Sequence, residues 1–247
     1  MTKKTGGWAE SIKTVVYAGL IAIGVRTVAF EPFNIPSGSM IPTLLVGDYL
    51  FVSKYAYGYS RHSMPFSPAL FDGRLFGSLP ARGDVAVFKY PRDNSTDYIK
   101  RIIGLPGDRI QMRGGRLFLN GQEVPRESLG LYTVEGDGQP MRRYRETLPG
   151  STTPGPVRHE ILEATDDGPY DNTPEFVVPP NHVFAMGDNR DNSLDSREMN
   201  AVGFVPVENL VGRAEFLFFS KDNSSAWWAV WDWPFSIRWN RLFTAVK

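Results

Sequence analysis

Ser39 and Lys100 are the two residues of this 247-residue chain whose surroundings best suit nucleophilic chemistry. Ser39 lies in IPSGSMIPTLLVG, residues 35–47, where Gly38 permits a sharp turn and Pro36 and Pro42 stiffen the flanks. A serine hydroxyl is a poor nucleophile unless a base lies within hydrogen-bond reach and donors await the oxyanion of acyl transfer. The same turn would also serve as a proline-rich linker, so it decides nothing alone. Histidine is the usual base, but His62, His159 and His182 sit in unpatterned sequence with no triad-like companion. Lys100 is the alternative. It follows Tyr98-Ile99 and precedes Ile102-Ile103, which places an amine in a strand with apolar neighbours. Desolvation there would push its pKa down from ~10.4, and ~3 units of depression cost ~4 kcal/mol, a penalty tolerated where chemistry needs it. A surface lysine on an edge strand is the plainer reading of the same residues.

A third cluster, GDNRDNSLDSR at residues 187–197, is dense in carboxylates, yet its spacing does not fit a calcium loop. Counted from Asp188, Arg190 takes the third ligand position; counted from Asp191, Ser196 falls at the sixth and Val202 at the twelfth. The mixture of Asp, Asn, Ser and Arg suits a hydrogen-bonded wall instead, with Asp195 and Arg197 as an ion pair. No metal and no cofactor is expected.

The elements that must position these residues read as mostly β. Pro and Gly number 19 and 24, and apolar residues come in short runs between them. Strands are predicted at 46–54, 84–90, 109–112, 116–120, 122–125 and 214–219, with a polar, weakly periodic β insertion at about 110–180 whose part from 130 to 180 reads as irregular strands and loops. Lys+Arg and Asp+Glu stand at 27 each, so no global basic field exists to hold nucleic acid. Cysteine is absent, which excludes disulfides and thiol catalysis. At the start, residues 14–25 are apolar on every face. They become a transmembrane helix over 11–30 if Lys13 and Arg26 snorkel to opposite interfaces; a buried helix and a cleaved signal peptide are the alternatives. Lys3, Lys4 and Lys13 would hold residues 1–10 in the cytoplasm and leave 31–247 outside. The tail WWAVWDWPFSIRWNRLF reads equally as core or as a surface lying in lipid.

Four motifs, PSGSMIPTL, RGDVAVFKYP, YIKRIIGLPGD and GDNRDNSLDSR, resemble in order and spacing those of the bacterial type I signal peptidases, serine/lysine peptidases of the cytoplasmic membrane. The resemblance implies an antiparallel β catalytic domain facing the periplasm and cutting signal peptides from exported preproteins. It implies Ser39 as nucleophile, Lys100 as general base, and Ser37 with the Ser39 N–H as oxyanion donors. Ser193 would orient the base, with Asp195 and Arg197 in support. It also implies a cleft that takes an extended peptide as an added strand, lined by Phe33, Ile35, Met40, Leu44 and Ile99. Two other readings remain: a membrane-anchored binding module that has lost activity, and a self-cleaving serine/lysine protease with its bond at Ala18-Gly19.

Overall fold

The structure is a computed structural model that describes residues 8–64, 73–134, 139–151, 155–222, 231 and 233–247. A helix, Trp8–Val28, leads into a body of antiparallel sheets. Relative to the 11–30 predicted, the helix starts three residues early and ends two early. Its end is set by the sheet, because Phe30–Asn34 already pairs with Asp48–Ser53 as an edge strand, where Pro32 leaves no ladder donor missing on an inner strand. Among the described residues no helix is long and apolar enough to cross a membrane. The uncharged stretch between Lys13 and Arg26 spans only ~18 Å at ~1.5 Å per residue. Its apolar side chains stand exposed all the same, Val15, Leu20 and Ile21 among them.

The main sheet has seven strands in the spatial order Phe30–Asn34, Asp48–Ser53, Leu210–Ser220, Val85–Lys89, Asp97–Gly104, His182–Met186, Val205–Pro206. Each predicted strand falls on an observed one with ends displaced by a few residues, apart from 122–125, which shortens to Gln122–Glu123. Apolar side chains from both faces fill the body: Leu50, Val52, Val87 and Leu217 in one cluster, Ile103, Ile110, Phe184 and Met186 in another. Asp97–Gly104 is buried on both faces, so Lys100 and its neighbour Arg101 point opposite ways and both leave solvent.

The polar region is more regular than its sequence suggests. Arg126–Thr133, Pro140–Leu148 and Val157–Glu163 form a three-stranded meander, while Phe176–Val177 joins Arg109–Arg113, Arg116–Leu119 and Gln122–Glu123 in a four-stranded sheet. Cross-strand charge pairing replaces apolar alternation on the open side of the meander: Arg145 faces Glu127 on one neighbour and Glu160 on the other. Further along the same side, Met141 and Leu162 pack against Ile41, two residues past Ser39. Of the tryptophan-rich tail, residues 223–230 and 232 lie outside the described residues; Trp231, Phe235, Trp239 and Phe243 are exposed.

Candidate active site

The turn that carries Ser39 is built by close packing. Gly38–Met40 is one turn of 3-10 helix, and Gly38 keeps an ordinary φ. A side chain there would meet Ile41 Cδ1 at 3.1 Å, so glycine is needed for space. The turn is fixed from outside by the Gly187–Ser193 segment. Asn189 N–H donates to Ser39 O at 3.1 Å and Asn189 Nδ2 to Gly38 O at 3.1 Å.

Lys100 comes to the same point from the sheet. Its Nζ donates to Ser39 Oγ at 2.7 Å and to Ile99 O at 3.0 Å, and lies 5.4 Å from the centre of the Tyr98 ring. Both side chains are buried. Burial is the chief cause that brings the Lys100 pKa down from 10.5 to about 8; Asp195 and Asp188 act the other way, and Arg197 adds a small repulsion. A substantial share of such an amine is neutral just above neutral pH, and a neutral amine can accept the proton of the hydroxyl whose oxygen it donates to here.

Around the pair the motif residues form a rigid frame. Arg101 grips Asp188 through Nε–Oδ1 at 2.8 Å and Nη2–Oδ2 at 2.7 Å, and its Nη1 donates to Gly83 O at 2.8 Å. Thr43 Oγ1 donates to Asp188 Oδ2 at 2.6 Å, which ties the serine turn to the same carboxylate. Asp195 and Arg197 pair as expected, Nε–Oδ1 and Nη2–Oδ2 both at 2.9 Å, and Asp195 Oδ2 also accepts from Gly187 N–H at 2.9 Å. Ser193 differs from expectation: its buried hydroxyl makes no hydrogen bond to Lys100.

Ser39 and Lys100 sit in the wall of a cleft of 460 Å³. Phe33, Ile35, Ser37 and Ile99 line it. Met40 and Leu44 do not, because both are fully buried in the core behind the turn. Asn192 and Leu194, which sequence reasoning missed, also line it; the clue was their place in the GDNRDNSLDSR motif, read there only as support. One edge of Asp97–Lys100 is open to the cleft: Val85–Lys89 pairs its far side, and among the described residues its near side finds a strand only from Arg101 onward. Ala18-Gly19, by contrast, lies inside the Trp8–Val28 helix, whose hydrogen-bonded backbone cannot enter the cleft as a strand.

Sequence comparison bears on this arrangement directly. Residues 8–219 match the family described as signal peptidase, peptidase S26. The chain belongs to that family. It is 40% identical over 249 residues to signal peptidase I of Rickettsia canadensis (strain McKiel), covering 95% of this chain and 92% of that protein. It is 43% identical over 211 residues to signal peptidase I of Rickettsia prowazekii (strain Madrid E), covering 84% and 78%. A solved signal peptidase I from Enterococcus faecalis V583 aligns with 55% of this chain and 97% of its own, at 23% identity and a TM-score of 0.32. The protein is therefore a hydrolase of the signal peptidase class, acting on preproteins that carry signal peptides.

Gly187 is a further residue that the sequence did not single out. A Cβ on it would lie 2.2 Å from Ser193 Oγ and 2.5 Å from Ser39 O, so backbone would have to move. Gly187→Ala is expected to lower kcat ~10²-fold through displacement of the serine turn, at a stability loss of ~1–3 kcal/mol. Steady-state kinetics beside a urea titration checks both.

Proposed function

We propose that the protein cuts signal peptides with a Ser39–Lys100 dyad, from a site beside the membrane. The observation that carries this reading is the 2.7 Å bond between the buried Lys100 amine and Ser39 Oγ in the wall of an open cleft. An extended segment of preprotein adds to the free edge of Asp97–Lys100, across from Phe33–Ser39. Phe33, Ile35 and Ile99 leave room for small side chains near the cut. Neutral Lys100 takes the Ser39 proton as Oγ forms a bond to the scissile carbonyl carbon. The oxyanion is held by the Ser39 N–H and the Ser37 hydroxyl. Protonated Lys100 then gives its proton to the departing amine, and the mature protein leaves. Water, losing a proton to the same amine, attacks the ester and frees the signal peptide together with the Ser39 hydroxyl.

The Trp8–Val28 helix is the membrane anchor in this reading, a single pass with residues 1–10 in the cytoplasm and the β body outside, in the periplasm. Exposed apolar side chains along the helix support it, as do Trp231, Phe235 and Trp239, which stand ready for an interface. Arg26, the charge that interrupts the apolar run, is met by Glu31 at 2.8 Å, and Glu31 in turn pairs with buried Lys54 at 2.9 Å. Its charge is thereby partly neutralised where the helix meets the body.

The direct test mixes detergent-solubilised protein with a preprotein and follows product size for wild type and Ser39→Ala. Wild type should shorten the preprotein and the variant should not; an intact preprotein with wild type ends the reading. The rate profile supplies a second check. Lys100 works only when neutral, so kcat/KM should fall tenfold per unit as pH drops below about 8 and level off above it. An acidic limb centred near the ordinary lysine value of 10.5 would contradict a buried base.

A further inference from the structure

The polar meander makes a buried contact with the motif loop that the reaction as described does not use. Glu146, in the middle strand Pro140–Leu148, accepts from Arg190 twice, Nη1–Oε1 at 2.8 Å and Nη2–Oε2 at 2.5 Å. Both side chains are closed to solvent. Arg190 directly follows Asn189, whose N–H and side-chain amide hold Ser39 O and Gly38 O. Its own carbonyl accepts from Arg197 Nη2 at 2.5 Å, which joins it to the Asp195 pair. Three further hydrogen bonds run parallel to this ion pair: Leu162 N–H donates to Asp188 O at 2.9 Å, and the Asp191 side-chain Oδ2 accepts from Ala164 and Thr165 N–H at 2.7 and 3.0 Å. The loop is thus fastened on one side to the serine turn and on the other to the meander.

We infer that Glu146 is a positioning residue: through Arg190 it sets the Gly187–Ser193 loop, and through Asn189 it sets the Ser39 turn against Lys100. The inference rests on the Ser39–Lys100 reading above. It gives the meander a task in catalysis, namely to supply the fixed end of a strut whose moving end is the nucleophile. Two features argue for a strut over a chance pair. Arg190 meets Glu146 with both terminal nitrogens, which fixes direction as well as distance. The carboxylate also stays ionised, since Arg190 and His159, whose Nε2 lies 3.3 Å from Oε2, hold its pKa far below the ordinary range against the effect of burial. Across the working pH range the strut therefore keeps its charge.

Removing one partner alone would leave a buried charge and could unfold the protein, so the decisive variant replaces both by apolar residues of similar length, Glu146→Met with Arg190→Met. The expected result is a folded protein with kcat lower by ~10²-fold and KM within ~2-fold of wild type. Glu146→Asp, which retains the charge, should recover part of the rate. An independent readout is the titration of Lys100 followed by NMR on [ε-13C]lysine protein. If the turn loosens, water reaches the amine, and its pKa should rise from about 8 towards 10.5. A double variant that folds, titrates Lys100 as wild type does and keeps its kcat overturns the inference. Because the NMR titration needs no turnover, it decides the point even if wild type fails to cut a preprotein, the outcome that would count against the proposed function instead.

Discussion

Lys100→Met is expected to abolish turnover and, at neutral pH, to raise the melting temperature. Methionine keeps the length of the side chain but carries no base, so the rate should fall by ~10²–10⁴-fold, the usual contribution of general base catalysis. The stability effect follows from titration. In the fold the amine changes charge at about 8 instead of 10.5, chiefly because burial disfavours the cation. A base depressed in this way carries a penalty that is complete below the folded pKa, shrinks between about 8 and 10.5, and disappears above the unfolded value. The gap corresponds to ~3 kcal/mol at pH 7, and for a chain of this size each kcal/mol moves the melting temperature by ~2–4 °C. Lys100→Met should therefore melt up to ~10 °C above wild type at pH 7, with the difference closing as pH approaches 10.5. Thermal melts at the two pH values check it. A variant that melts below wild type at pH 7 would mean that the fold favours the lysine cation, and the proposed base would be lost with it.

The second large effect belongs to Asp188. Its carboxylate takes two bonds from Arg101, which has no access to water, and a third from Thr43. Asp188→Ala leaves that guanidinium buried without its counter-ion, at a cost of ~3–5 kcal/mol, or a melting temperature lower by ~10 °C. Activity should fall further than stability alone requires, because the Thr43 bond is one of the fastenings of the serine turn. Combining Asp188→Leu with Arg101→Met should restore most of the stability, since an apolar pair of similar volume needs no compensation. Calorimetry on the single and double variants separates the two outcomes; equal losses in both would show that packing at this point, and not charge, dominates.

What the sequence made legible follows from how local each signal was. Ser39 stood out because glycine and proline surround it, and Lys100 because apolar β-branched residues flank it; both signals lie within a few positions of the residue. The strands of the main sheet were readable for the same reason. Pro140–Leu148 and Val157–Glu163 were not, because what stabilises them is a partner across the sheet: MRRYRET has no apolar alternation until Glu127 and Glu160 are set opposite Arg145. Met40 and Leu44, which the resemblance implies as cleft residues, go into the core instead, because a tight turn sends adjacent side chains in different directions. Glu146 carried no signal at all. A single glutamate in a polar run becomes notable only when the fold brings Arg190 to it across a sequence separation of 44 residues.

The order of strands in the main sheet also bears on when the site can come into being. Asp48–Ser53, which extends from the serine turn, and Val85–Lys89, which supports the lysine strand, do not touch as neighbours; Leu210–Ser220 lies between them and pairs with both. On a ribosome that strand is the last of the seven to emerge. Until it inserts, the halves of the sheet that carry Ser39 and Lys100 have no common ladder to hold them in register, and pairings so distant in sequence form slowly. In the proposed dyad the serine turn and the lysine strand therefore gain their shared support only when the last strand, Leu210–Ser220, has inserted between their neighbours.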